Sequence, residues 1–135
     1  THAPCAVAFS ALGRPLQGIG NEGALFHAGI PVFSETAELI IDQTRGKAVA
    51  RAIADRDVLI LRNHGIVTAG RTIEEATVLA LYLEHACKAQ LMVEACGGAA
   101  HVCPPADAAA KTAMMMPQSG KVFDYLTRRV TSGTA

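Results

Sequence analysis

The chain has 135 residues, half of them hydrophobic, with no tryptophan and few aromatics, so it can build one modest domain whose core is made of aliphatic side chains and alanine. Twelve basic residues balance twelve acidic ones and no run of like charge exceeds a pair, which argues against nucleic acid as a main partner. No stretch of about 18 uncharged apolar residues exists to cross a membrane, and the first residues lack the basic-then-apolar order of a signal peptide. A cytoplasmic location is therefore expected. Cys5, Cys87, Cys96 and Cys103 form no Cys-x-x-Cys pair and are expected to be reduced thiols, as suits that compartment. Cys96 and Cys103 bracket His101, but Gly97-Gly98 and Pro104-Pro105 mark the segment as loop rather than a ligand-spaced site.

In chain order, Pro4 opens an alanine-rich apolar run that closes at Gly13. Proline in the first turn and glycine past the end predict a short helix, with His2 just before its N-terminus. Segment 13–33 carries five glycines and two prolines and reads as mostly loop, with strands near 15–19 and 30–33. Gly18-Ile19-Gly20 continues into no Gly-x-Gly-x-x-Gly and is not read as a nucleotide loop. Segment 34–42 turns from polar to apolar, a connection expected to dock on the core. A helix over 44–54, with Thr44 near its cap, presents Val49, Ala50 and Ile53 on one face, and Asp55-Arg56-Asp57 turns the chain.

Val58-Leu59-Ile60-Leu61 then runs into Arg62-Asn63-His64-Gly65, and a second β-branched run ends at Gly70. This predicts two strands joined at a tight corner. An imidazole where a buried strand ends sits on rigid backbone at the sheet rim, a good place for a metal ligand. Thr72-x-x-Glu75 is a capping box for the longest helix, 72–96, stopped by Gly97-Gly98. Ile73, Ala76, Ala80, Leu83, Cys87, Leu91 and Ala95 line its expected inner face, while Glu74, Glu75, Glu84, Lys88 and Glu94 stay wet. Tyr82 and His85 on this helix are assigned to packing or solvent. Two more helices are expected, 106–116 and 121–130. Met114 to Met116 supply an adaptable packing surface, read as a subunit contact, and 131–135 should fray. The order of elements predicts an α/β protein, a three-layer α/β/α arrangement around a mixed or mainly antiparallel sheet.

Val58 to Gly70, followed by Arg71-Thr72-Ile73-Glu74-Glu75-Ala76, closely resembles the most characteristic segment of the class II aldolase/adducin family: an apolar strand, Asn-His-Gly, a small hairpin, a glycine and a capped helix. In that family the histidine of this segment binds a catalytic divalent cation, a role that would fall here to His64. The start of the chain resembles the family's helix after a His-x-His ligand pair. His2 is then the second ligand of that pair, Thr1 its spacer, and the first ligand is expected immediately before Thr1. Residues 1–135 are accordingly expected to be the C-terminal portion of a single domain, begun inside the metal motif, with the acidic general base also upstream. Where a neighbouring subunit often supplies a catalytic tyrosine or histidine, this chain has Asn21, Glu22 and His27. Tyr125 matches a C-terminal tyrosine used by some members.

The resemblance implies a metal-dependent carbon–carbon lyase working through a metal-stabilised enolate or enediolate. Zinc is the expected ion, with Mn2+, Co2+ or Fe2+ in its place in some members. The implied reaction is that of a decarboxylase or aldolase on a small anionic substrate: a hydroxy acid, a sugar phosphate or a hydroxy-aromatic carboxylate. The stretch 29–33 and Leu39-Ile40 look more like non-sugar members. A homotetramer with sites between subunits is the family habit. The alternatives are a sugar-phosphate 4-epimerase, which uses the same intermediate, and a non-catalytic adducin-like interaction module.

Overall fold

The computed structural model describes residues 1–36, 39–99 and 101–133. Its elements are α1 (Pro4–Ser10), α2 (Gly20–Ala24), β1 (Val32–Phe33), α3 (Gln43–Ile53), β2 (Val58–Leu61), β3 (Gly65–Thr68), α4 (Ile73–Ala95), α5 (Pro105–Met115), a 3-10 turn (Met116–Gln118) and α6 (Ser119–Thr131).

Strand β2 organises the layers. All four of its residues are buried, and because side chains alternate across a strand, they feed two separate cores. Val58 and Ile60 join Phe9, Ile66, Leu79 and Leu83 on the side of α1 and α4, whereas Leu59 and Leu61 join Phe33 and Ala48 on the side of α3. The result is helix, sheet, helix, as expected. The sheet is mixed: β1 runs parallel to β2, with Val32 opposite Ile60, and β3 returns antiparallel, with Leu61 opposite Gly65 at the corner.

Several local expectations change. No strand forms over 15–19. Two of its backbone groups are taken by one buried side chain of α4: Gln90 Oε1 accepts from the Gln17 N–H at 2.7 Å and Gln90 Nε2 donates to the Pro15 carbonyl at 3.1 Å. The Gly18 carbonyl accepts from the Cys103 N–H at 2.8 Å and the Ile19 N–H donates to the Gln17 carbonyl at 2.8 Å, so these groups need no neighbouring strand. The helix α2 was hidden by its own glycines. Gly23 is a packing requirement, since a Cβ there would meet the Gln17 carbonyl oxygen at 2.9 Å. Helix α3 is capped by Asp42 rather than Thr44, its carboxylate accepting from the Arg45 N–H at 2.8 Å. Thr72 caps α4 as read, but Glu75 turns its carboxylate to Arg71.

The inner face of α4 is rotated from the expected stripe. Leu83 and Cys87 are buried as read, together with Val78, Leu79, Ala86 and Gln90, while Ile73 is 70% exposed. Helix α4 packs against α1, α2, α6 and β3, and elements closing on it from several sides leave no single apolar seam. Glu84, expected to be wet, is partly buried and bonded. Among the described residues of the connection 34–42, Ile40 packs against the α3-side core while Leu39 and Ile41 are exposed; Ala37 and Glu38 lie outside the described residues. Of the tail expected to fray, Thr131 closes α6, and Thr134 and Ala135 lie outside the described residues.

Candidate metal centre

The rim of the sheet beside Leu61 is assembled from two distant stretches, 61–66 and 1–10. The Thr1 backbone nitrogen donates to the Ile66 carbonyl at 2.7 Å, and the Thr1 carbonyl accepts from the Ile66 N–H at 3.0 Å. This reciprocal pair is the antiparallel ladder pattern, and it lays Thr1 along the outer edge of β3. That approach demands a glycine at the corner. Gly65 sits at φ +151°, and a Cβ on it would stand 2.2 Å from the Thr1 carbonyl oxygen, so no other residue lets the two backbones meet.

The rest of the corner has equally local reasons. Asn63 takes φ +56°, a left-handed conformation that asparagine tolerates better than most residues. Its N–H donates to Ser10 Oγ at 2.9 Å, and the Ser10 hydroxyl donates in turn to the Val7 carbonyl at 2.7 Å. The end of α1 is thereby tied to the corner. The His64 N–H closes the turn on the Leu61 carbonyl at 3.0 Å.

Held in this way, His2 and His64 come face to face. Their rings are stacked with centroids 4.9 Å apart and planes inclined by 10°. His2 is exposed and His64 half-buried, so solvent and a ligand can reach the pair. Each ring carries a nitrogen of the kind that binds a divalent ion such as zinc, whose nitrogen ligands sit about 2.0–2.1 Å away. Among the described residues no cluster of three His, Cys, Asp or Glu side chains is gathered anywhere. The pair is therefore a partial donor set, and Cys96, His101 and Cys103 assemble into none.

The other candidates lie in different surroundings. Glu22, on α2, faces His85 of α4 at 3.8 Å, so His85, set aside in the sequence reading, is this carboxylate's neighbour. Burial, and after it the charge of Glu22, raises the Tyr82 phenol above its ordinary value. His27, in the turn after α2, has its Nδ1 3.0 Å from the Ala24 carbonyl at that helix's end. Asn21 is exposed beside Glu22. Tyr125 is exposed on α6 with the Arg129 guanidinium 5.9 Å from its ring centroid. None of these contacts leads to the histidine pair. Ser10, Glu84 and the Thr1–Gly65 approach were missed from sequence. The hydroxyl in an otherwise apolar run was a usable signal for Ser10; Glu84 looked like any wet helix position.

A mixed sheet covered by helices on both faces, with two stacked imidazoles at its rim, one in Asn-His-Gly and the other two residues before a Pro-initiated helix, defines the class of α/β domain to which this chain belongs. Residues 1–91 match the model of the class II aldolase and adducin N-terminal domain, and the chain belongs to that family. It is 31% identical over 93 residues to the meiotically up-regulated gene 14 protein of Schizosaccharomyces pombe, a match covering 69% of this chain and 36% of that protein. It is 34% identical over 102 residues to a 3,4-dihydroxyphthalate decarboxylase of Rhodococcus jostii, covering 72% and 42% respectively. Among solved structures, an aldolase II superfamily protein of Pseudomonas syringae superposes with a TM-score of 0.80 at 24% identity, over 98% of this chain and 55% of that one; this is a likeness of fold. The chain thus spans well under half the length of these two curated relatives and about half of the solved structure. No helix among the described residues is long and apolar enough to cross a membrane.

Proposed function

We propose that this chain is the histidine-bearing part of a divalent-metal-dependent carbon–carbon lyase. The observation that carries the reading is the stacked His2–His64 pair at the rim of a rigid sheet. The relatives support it at a coarser level, since decarboxylases are among them. In this reading His2 and His64 hold zinc, or Mn2+, Co2+ or Fe2+, and the third ligand is the histidine expected immediately before Thr1. The ion supplies Lewis-acid stabilisation of the electron pair left when a carbon–carbon bond breaks. Neutral imidazoles suit this work because they leave the ion its full charge.

The chain's own residues supply the geometry. Thr1 and Gly65 bring the two ligand-bearing stretches together, Ser10 locks α1 to the corner, and the exposed face of His2 leaves an approach for a small anionic substrate. Resemblance to decarboxylases of hydroxy-aromatic acids favours a carboxylate substrate over a sugar phosphate, with decarboxylation ahead of aldol cleavage or 4-epimerisation. Asn21, Glu22 and His27 enter as groups brought to a neighbouring subunit's site in a homotetramer, and Tyr125 as a C-terminal tyrosine near a site. The four free cysteines accord with a cytoplasmic enzyme.

Metal analysis of the intact protein tests the reading. His64→Ala is expected to remove most bound metal and nearly all turnover while the fold stands, because a rim imbued with solvent contributes little to either core. A His64→Ala protein that keeps its metal and its turnover removes His64 from the site, whereas an intact protein with neither metal nor turnover sinks the lyase reading and leaves an adducin-like interaction module in its place.

A further inference from the structure

The first turn of a helix leaves backbone N–H groups without partners, and α1 has an unusual way of satisfying them. Its N-cap, Ala3, has no side chain to offer, and Pro4 has no N–H. The Val7 N–H is bonded to the Ala3 carbonyl at 2.9 Å. Two donors are left, on Cys5 and Ala6. Both are taken by one carboxylate from another helix: the Cys5 N–H donates to Glu84 Oε1 and the Ala6 N–H to Glu84 Oε2, each at 2.8 Å.

His2 lies between two fixed points. On one side Thr1 is clamped to Ile66 by two backbone bonds; on the other the start of α1 is clamped to Glu84. Only Ala3 and Pro4 separate His2 from the second clamp, and Pro4 has a single allowed φ. A shift of the start of α1 would carry the His2 backbone with it and pull its ring off His64. We propose that Glu84 is a positioning residue for His2, setting the imidazole pair for its ion from 82 positions away in sequence. A carboxylate suits the task because both of its oxygens accept, and charge-assisted bonds to N–H groups are about twice as strong as neutral ones. An amide in its place keeps one acceptor and turns an NH2 toward the other N–H.

This proposal rests on the metal reading for its consequence, and on the ring contact alone for its geometry, so it is tested on both. In the intact protein, Glu84→Gln is expected to weaken Co2+ binding by about 10- to 100-fold, the usual effect of losing a group that orients a ligand, and to change the visible spectrum of the bound Co2+. In the metal-free protein the same substitution is expected to weaken the proton–proton nuclear Overhauser contact between the His2 and His64 rings. The control is Gln90→Leu, which removes an equally internal bridge from the same helix to Pro15 and Gln17. It is expected to lower Tm at least as much while leaving Co2+ affinity, spectrum and ring contact as in wild type. An unchanged ring contact in Glu84→Gln overturns the positioning role, as does an equal loss in Gln90→Leu. A wild type that binds no Co2+ overturns the metal reading instead, and the ring contact alone then decides for or against Glu84.

Discussion

The rim around His64 and the C-terminal third of the chain are held by different physics. At the rim nearly every position is specified by a directional constraint: the reciprocal bonds of Thr1 and Ile66, the close approach over Gly65, the left-handed Asn63 and the Ser10 bridge. In α5 and α6 few such constraints exist. Ala108 and Ser119 are buried, but Met114 and Val130 are 68% and 72% exposed. The comparison teaches that sites are built where small errors are intolerable, whereas an apolar helical surface tolerates many sequences so long as something covers it.

The largest expected effect is at Gly65. Gly65→Ala must displace Thr1 and strain a backbone at φ +151°, with a stability loss of about 2–3 kcal/mol and loss of the His2–His64 ring contact; urea unfolding and NMR would measure the two. A protein with wild-type stability and an intact ring contact would mean that the rim is as permissive as the C-terminal helices.

Cysteine chemistry separates the regions next. Burial, and after it the neighbouring Glu84 carboxylate, pushes the Cys87 thiol under α1 from 9.0 up to about 12, while Cys96 is exposed. Iodoacetamide at pH 8.5 is expected to modify Cys96 rapidly and Cys87 only on unfolding. The folded protein favours the neutral Cys87 thiol. Its contribution to stability is therefore fully present below pH of about 9 and is lost as pH rises toward about 12. Comparing the pH dependence of unfolding in wild type and Cys87→Ala over that window would expose it, and identical slopes would refute it.

Ser10→Ala removes the acceptor of the Asn63 N–H at the rim and is expected to cost about 1–2 kcal/mol, with weakened metal binding. The smallest effect belongs to the other region. Met114→Gln with Val130→Thr should change the stability of the single chain by no more than about 0.5 kcal/mol. If these groups face another subunit, the same pair of changes lowers the mass seen by light scattering of the intact protein, and an unchanged mass removes them from the interface.

Periodicity and punctuation alone determined most of the elements of this protein. The buried strand at 58–61, the corner after it, the capped helix from 73 and the Pro-initiated helix at 4–10 were all legible, because apolar runs, a proline at N1 and a Thr-x-x-Glu box act through neighbouring residues. The histidines were legible as ligands only by resemblance, since no local pattern relates His2 to His64. What tertiary structure decided was everything that joins residues far apart in sequence. The 15–17 segment gave up its strand to Gln90, the inner face of α4 turned to meet four partners, and a helix glutamate became the cap of α1. A backbone donor must be satisfied, but the chain does not say by which residue; only the folded chain brings a carboxylate from position 84 to the N–H groups of 5 and 6.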